Sequence, residues 1–192
     1  MFYQLIDKYL NNDFTDLIGH EIKKNKYKDQ INIFDVGCYV GNFSKKINLI
    51  LKKDYNLKFY LFDPNPSLNH SDHFNFFNLA ISNSDKKNIP LFINLSYPAS
   101  GTSLNQITKN DKLWNFSRNL LKLNFKNNFN KINVQTKKLD TFCYENNIKE
   151  IDILKIDVEG SGLEVLNGSM NILDNVNIIL IEILDDKKKF EE

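Results

Sequence analysis

The sequence predicts an α/β protein with an open, mostly parallel sheet and flanking helices. Short runs rich in isoleucine, phenylalanine and valine recur along the chain, and apolar residues at helical spacing lie between several of them. Strands that alternate with helices over short links pair in parallel through right-handed crossovers. With 192 residues, of which 42% are hydrophobic, the chain can bury a sizeable core, and residues 1–192 are most simply one domain.

The first half of the chain follows this alternation of strands and helices. A helix is predicted where Phe14, Leu17, Ile18 and Ile22 share one face, with Asp13 as its N-cap. The predicted strands are INIFDV at 31–36, LKFYLF at 57–62 and FNFFNLAI at 74–81, and a second helix follows the first of them as far as about residue 53.

The second half contains two further apolar strands and a less regular region. IDILKID at 151–157 and VNIILIEI at 176–183 are predicted strands, joined by one helix that starts near Gly160. The apolar stripe of that helix consists of Leu163, Leu166, Met170 and Leu173. Residues 82–150 are predicted to form an insertion over the carboxyl edge of the sheet, with strands at 89–94 and 131–139 and a helix at 111–123.

Composition and charge argue against several classes of partner. The formal net charge is +1 and Arg118 is the single arginine, so the chain is poorly equipped to bind nucleic acid. No apolar run approaches the roughly 20 residues that span a bilayer, and the N-terminus lacks the pattern of a signal peptide. Cys38 and Cys143 form neither a disulfide framework nor a zinc pattern. We therefore predict a cytoplasmic protein that binds neither nucleic acid nor membrane.

The turn in IFDVGCYVGNFS (33–44) is the first candidate for function. Gly37 and Gly41 have the spacing G-x-x-x-G, between a predicted strand and a predicted helix. Glycine at such a turn accepts positive φ and allows close approach of a ligand, and the amide groups at a helix start favour a negative group. A plain strand-to-helix turn with glycines for steric reasons explains the spacing equally well, so the turn alone does not decide.

Acidic residues at the ends of three predicted strands favour a ligand site. Asp63 ends the second strand, 22 residues beyond Gly41, where an acid in an open α/β sheet binds ribose hydroxyls. Asp35 and Asp157 add carboxylates at the same edge, and three acids repel each other unless a cation or hydroxyl donors lie between them. A sulfonium ligand with a ribose would supply both. Lys155 alternates with the core residues of its strand and is expected to pair with an acid.

Six blocks of the sequence resemble, in order, the signature blocks of the FkbM family of S-adenosylmethionine-dependent methyltransferases. They are IFDVGCYVGNFS, LFDPNP, NLAISNSDKK, SGTSLNQ, KKLDTF and IDILKIDVEGSGLEVLNG, and the resemblance covers about residues 31–184. It implies a Rossmann-like class I methyltransferase fold with S-adenosylmethionine as cofactor. The implied reaction is methyl transfer, usually to a hydroxyl oxygen of a sugar, a polyketide or a similar metabolite.

The resemblance also implies roles for individual residues. Asp157 and Glu159 match acids near the methyl group and the acceptor, and they are the candidate catalytic residues. An alternative for Glu159 is that it caps the following helix. Asp63 matches the ribose acid, and Ala80, Ile81 and Ser82 match a block near the adenine. The residues assigned to the cofactor are Asp35, Gly37, Gly41, Asp63, Pro64, Asn65, Ala80 and Ile81.

The sequence departs from the family pattern in three places. Tyr39 stands where the family commonly has asparagine, with Cys38 in place of alanine, and Gly162 stands where many members have glutamate. The chain ends soon after the fifth predicted strand, so the antiparallel hairpin of such a sheet, strands six and seven, is expected to be missing. The outer edge of VNIILIEI would then be exposed, and we expect a homodimer through this edge or an aggregation-prone monomer.

Other functions and ligands are weaker alternatives. An inactive protein that only binds S-adenosylmethionine, or an RNA or protein methyltransferase, would share the same cofactor fold. HSDH (70–73) resembles metal ligands but is better explained as a solvated loop. Asp157 with Asp185 and Asp186 could hold magnesium, but the last two begin a charged tail. We predict no metal and a small-molecule or sugar acceptor.

Overall fold

The computed structural model describes residues 3–5, 13–24, 28–68, 74–94, 104 and 129–182. Its strands are β1 (Tyr3–Leu5), β2 (Gln30–Val36), β3 (Asn56–Phe62), β4 (Asn75–Phe77), β5 (Ala80–Ile81), β6 (Lys86–Asn94), β7 (Phe129–Lys137), β8 (Ile151–Ile156) and β9 (Val176–Ile181). The α-helices are α1 (Asp13–Lys24), α2 (Asn42–Leu51), α3 (Leu139–Glu145) and α4 (Gly162–Asn167), and a 3₁₀ turn covers Leu173–Asn175.

The larger sheet has six strands in the order β1-β9-β8-β2-β3-β4, and every neighbouring pair is parallel. This confirms the predicted α/β class with a parallel sheet and flanking helices. Val36 is in register with both Phe62 of β3 and Ile156 of β8, so these three strands end side by side. The segments that follow them therefore meet at one edge of the sheet, where ligands bind in open α/β folds.

Two apolar clusters lie on the two faces of this sheet. On one face, α1 and α2 pack their buried side chains against Ile31 and Ile33 of β2. On the other face, α3 and α4 pack against Phe34 and Val36 of the same strand. Strand side chains alternate between the faces, so this burial on both sides explains why β2 and β8 read as continuous apolar runs.

A smaller sheet of three strands takes two of them, β6 and β7, from the range predicted as an insertion. Its order is β5-β7-β6, with β5 parallel and β6 antiparallel to β7. The predicted strand at 131–139 ends at Lys137, and α3 begins two residues later. The buried residues of α3 belong to the core of the larger sheet. The helix predicted at 111–123 lies outside the described residues.

The prediction of a single strand at 74–81 was wrong. Residues 75–77 form β4 at the edge of the larger sheet, whereas Ala80 and Ile81 form β5 in the smaller one. The chain turns sharply between β4 and β5, where the amide of Leu79 donates to the carbonyl of Phe77 at 2.8 Å. One continuous apolar run therefore serves two sheets.

The prediction of a long helix after Gly160 was also wrong. The observed helix contains only Gly162–Asn167. Met170, which was assigned to the apolar stripe of the predicted helix, is 63% exposed. Close contact between chain segments explains the early end, since a Cβ added to Gly168 would lie 2.0 Å from the carbonyl oxygen of Ser82. The chain at Gly168 is thus fitted against another segment rather than available to extend a regular helix.

The outer edge of the fifth predicted strand is covered by the chain itself. β1 pairs in parallel with β9, with Tyr3 opposite Ile178 and Leu5 opposite Leu180. The expectation of an open edge was therefore wrong, and the homodimer predicted from it loses its premise. No strand follows Ile181 within the described residues, and the larger sheet contains no antiparallel pair there. Across the same ranges, none of the helices has the length and hydrophobicity that crossing a membrane requires.

Removal of residues 1–5 should expose the edge of β9 and promote association. An uncovered apolar strand edge offers unpaired main-chain groups to another copy of the chain. We expect concentration-dependent aggregation in light scattering and a lower thermal midpoint. Gln4→Ala is the control, because it keeps the main chain that pairs with Ile179. A truncated protein that stays monodisperse with an unchanged midpoint would contradict the role of β1.

Candidate active site

A cavity of about 320 Å³ opens at the carboxyl ends of β2, β3 and β8. Its volume lies at the lower end of the range of small-molecule sites. Of the ten residues predicted for the site, eight line this cavity: Gly37, Asp63, Pro64, Asn65, Ala80, Ile81, Asp157 and Glu159. The other two, Asp35 and Gly41, do not belong to its wall.

Gly37 is the point where the loop after β2 meets the segment after β8. Its φ is +75°, and a Cβ added there would lie 1.9 Å from the main-chain oxygen of Asp157. The amides of Gly37 and Cys38 both donate to the carbonyl of Phe62, at 2.9 and 3.1 Å. Glycine is therefore required here by contact with the protein's own main chain.

Gly41 shapes the same loop from its other end. It has φ +72° and is the N-cap residue of α2, and its amide donates to the carbonyl of Cys38 at 2.7 Å. Few residues other than glycine adopt this left-handed conformation without cost. Gly41 thus directs the chain from the loop into α2.

Asp35 lies beneath the cavity wall and is fully buried. Its carboxylate accepts a hydrogen bond from the Ser44 hydroxyl at 2.7 Å and another from the Lys155 ammonium at 3.1 Å. The protein itself thus supplies a hydroxyl donor and a cation beside this acid. The structure assigns Asp35 a supporting place below the site, and the expected pairing of Lys155 with an acid is confirmed.

Lys155 is a cavity residue that the sequence analysis did not assign to the site. Its Nζ lies 3.1 Å from Asp35, 3.2 Å from the carbonyl oxygen of Gly37 and 3.3 Å from Asp157. Burial by itself lowers the pKa of Lys155, but the carboxylates of Asp35 and Asp157 outweigh it and raise this pKa above that of an ordinary lysine. Lys155 therefore stays an ammonium and is not a general base. Its signal in the sequence was a lysine within an apolar strand.

Asp63 is held in a fixed orientation on the β3 side of the cavity. One carboxylate oxygen accepts the amide of Tyr39 and the other accepts the amide of Asn65, both at 3.0 Å. Burial raises the pKa of Asp63, although the two amide hydrogen bonds act in the opposite direction. The carboxylate thus links the loop after β2 to the segment after β3.

Asp157 and Glu159 line the opposite side of the cavity. The amide of Asp157 donates to the carbonyl of Val36 at 2.9 Å, which joins this segment to the end of β2. The alternative that Glu159 caps the next helix is not supported, because α4 begins at Gly162 and Ser161 is its N-cap residue. The structure therefore brings Asp63, Asp157 and Glu159 together around one cavity.

Comparison with known families agrees with this geometry. Residues 35–192 match the model of the methyltransferase FkbM domain. The chain belongs to the FkbM methyltransferase family. Searches of curated proteins and of solved structures gave no match. All ten residues predicted for the site lie within the matched range.

Two residues of the candidate site in this FkbM methyltransferase have unfavourable main-chain conformations. Tyr39 and Glu159 both have φ +47° and both line the cavity. The other described non-glycine residues with positive φ are Asn88 and Asn147, and asparagine tolerates this conformation better than most residues. Left-handed conformations of other residues concentrate at functional sites, where the surrounding structure maintains them.

The remaining wall of the cavity in this FkbM methyltransferase is largely apolar. Ala80 of β5 packs with Leu91 of β6 and Leu104, and Ile81 also lines the cavity, so the smaller sheet contributes to it. Leu91 and Leu104 were not predicted, since a leucine in a strand or loop carries no signal for a site. Cys38 adds an uncharged group, because burial raises the pKa of its thiol.

The described residues contain no group of three or more His, Cys, Asp or Glu placed to hold a metal ion. HSDH at 70–73 lies outside them, as do Asp185 and Asp186. The two metal alternatives raised from the sequence therefore fall on residues that the structure does not describe.

Proposed function

We propose that the protein uses S-adenosylmethionine to methylate a hydroxyl oxygen of a sugar, a glycan or another small metabolite. The observation that carries this proposal is the cavity at the ends of β2, β3 and β8, with Asp63 on one side and Asp157 and Glu159 on the other. In a chain of the FkbM methyltransferase family, this arrangement suits a cofactor that combines ribose hydroxyls with a positive charge.

The residues present fit S-adenosylmethionine. Asp63 accepts one amide at each carboxylate oxygen and keeps further lone pairs, so it can also accept ribose hydroxyls. The buried side chains of Ala80 and Ile81 offer an apolar surface for an adenine ring. Three carboxylates and one ammonium are found among the described wall residues, so the wall favours a cationic ligand.

Asp157 and Glu159 divide the remaining work between them. Asp157 is held by Lys155, which suits a fixed electrostatic role on the cofactor side. Glu159 is assigned to the acceptor side, where a carboxylate general base contributes about 100- to 10,000-fold to a rate. When bound, the cofactor supplies an electrophilic methyl group, and alignment of the acceptor with it can supply roughly 7 to 11 kcal/mol of barrier reduction.

The proposal is tested by binding and turnover measured together. We expect calorimetry to detect binding of S-adenosylmethionine, and mass spectrometry to detect the gain of one CH2 unit, which replacement of a hydroxyl hydrogen by methyl produces, in a pool of hydroxylated metabolites. Glu159→Gln should retain binding and lose turnover. Binding without any turnover would favour an inactive cofactor-binding protein, and absence of binding would overturn the proposal.

Asp63→Ala should weaken binding of S-adenosylmethionine by about 1.5 to 3 kcal/mol, which is about 10- to 150-fold, because charged hydrogen bonds to the ribose are lost. Calorimetry measures the change, and thermal unfolding verifies that the fold is retained. Asp174→Ala, which removes an exposed carboxylate of the 3₁₀ turn, is the control. Equal affinities of Asp63→Ala and the wild type would refute the ribose assignment.

The same contact should make cofactor affinity depend on pH. An ordinary aspartate has a pKa of about 3.9. Burial raises the pKa of Asp63, so this carboxyl takes up a proton at a higher pH than an ordinary aspartate does. The proton removes acceptor capacity, and wild-type affinity should therefore fall as the pH is lowered towards this pKa. Asp63→Ala should lack this part of the pH dependence in the same calorimetric series.

A further inference from the structure

Lys155 makes contacts that connect the two walls of the cavity. Its Nζ bonds Asp35 and the Gly37 carbonyl on the β2 side and Asp157 on the β8 side. An ammonium has three donors, and these three acceptors account for all of them. We propose that Lys155 is a positioning residue, whose ammonium fixes the Asp157 carboxylate relative to the Gly37 carbonyl for cofactor binding. This inference rests on the proposed function.

The strand register explains why a lysine can do this. Asp35 and Lys155 are directly opposite each other on neighbouring parallel strands. Gly37 and Asp157 each lie two residues further along, where both strands have just ended. A long side chain that leaves β8 at Lys155 therefore reaches the acid of the neighbouring strand and the beginnings of both loops. A shorter, uncharged side chain at position 155 would leave the loop after β2 and the segment after β8 joined only by main-chain contacts.

A purely structural role would be the neutralisation of buried Asp35. That role ends when both charges are removed together, and Ser44 still contacts the side chain at position 35. The positioning role does not end in the same way, because Asp157 and the Gly37 carbonyl lose their common donor in either case. A double variant that keeps the net charge constant therefore separates the two roles.

The test compares two charge-balanced variants. Lys155→Met/Asp35→Asn has no ammonium, whereas Lys155→Arg keeps a cation and its donors opposite Asp35. Binding of S-adenosylmethionine and of S-adenosylhomocysteine is measured by calorimetry, with thermal unfolding in parallel. We expect the double variant to fold and to bind both ligands at least tenfold more weakly than the wild type. Lys155→Arg should recover most of this loss.

Hydrogen exchange supplies a readout that needs no ligand. In the double variant, we expect faster exchange at 37–40 and 157–161, while the interiors of β2 and β8 stay protected. Lys45→Met is the charge control, since Lys45 donates to the Val40 carbonyl of the same loop from an exposed position on α2. Its affinities should equal those of the wild type.

The outcomes distinguish this inference from the proposed function. If the wild type binds neither ligand, both are overturned. If the wild type binds and the double variant binds equally well, the positioning role is overturned and the proposed function stands, whatever the exchange data show. Should the double variant fail to fold, Lys155→Met/Asp35→Ser provides a second charge-balanced pair with the same expected loss and the same contradicting result.

Discussion

Gly37→Ala should abolish cofactor binding and lower the free energy of unfolding by about 3 to 5 kcal/mol. The added Cβ would lie 1.9 Å from the main-chain oxygen of Asp157, and φ +75° is itself unfavourable for alanine. The added Cβ is bonded directly to the main chain of residue 37 and overlaps the main chain of Asp157. The loop after β2 and the segment after β8 must therefore separate. Calorimetry and denaturant unfolding measure the two effects.

Gly160→Ala is the matched control for this change. Gly160 also has a positive φ, of +89°, but it is exposed. It should therefore show only the conformational cost of a left-handed alanine, about 1 to 2 kcal/mol. If Gly37→Ala costs no more than Gly160→Ala and still binds cofactor, the close approach at Gly37 is not needed for the site.

Lys155→Met alone should destabilise the fold by about 3 to 5 kcal/mol at neutral pH, because it leaves the buried Asp35 carboxylate without its cation. The charged and titratable groups around Asp35 are Lys155, Asp157, Asp63 and Cys38. Removing one partner of a buried ion pair is strongly destabilising, because the other charge stays buried and uncompensated.

Denaturant unfolding at neutral pH measures this loss of stability. Adding Asp35→Asn to Lys155→Met removes the uncompensated charge and should restore most of the stability. A Lys155→Met variant as stable as the wild type would show that the ion pair contributes little to the fold.

The central strands could be predicted from sequence because burial on both faces leaves a clear apolar signal. β2, β3, β8 and β9 all occur within two residues of their predicted bounds. β1 could not be predicted, since three residues carry no periodicity and its partner strand lies near the other end of the chain. The end of α4 was missed for a related reason, as it depends on contact between Gly168 and the distant Ser82.

The candidate site shows a similar division. Asp63, Asp157 and Glu159 could be placed at one edge because parallel strands bring their ends together. The places of Asp35 and Lys155 depend on whether each side chain points towards solvent or towards the neighbouring strand. That distinction follows from strand order and register, which residue patterns within one strand do not contain.

The left-handed conformations of Tyr39 and Glu159 have a consequence for laboratory evolution. Glycine or asparagine at either position would relieve up to about 1 to 2 kcal/mol of conformational strain. A library screened for heat resistance alone should therefore accumulate these substitutions, and each would remove the Tyr39 ring or the Glu159 carboxylate from the cavity wall. With the role proposed for Glu159, descendants that have lost its carboxylate would lose turnover first, so a screen that aims at a robust enzyme has to select for product as well as for survival on heating.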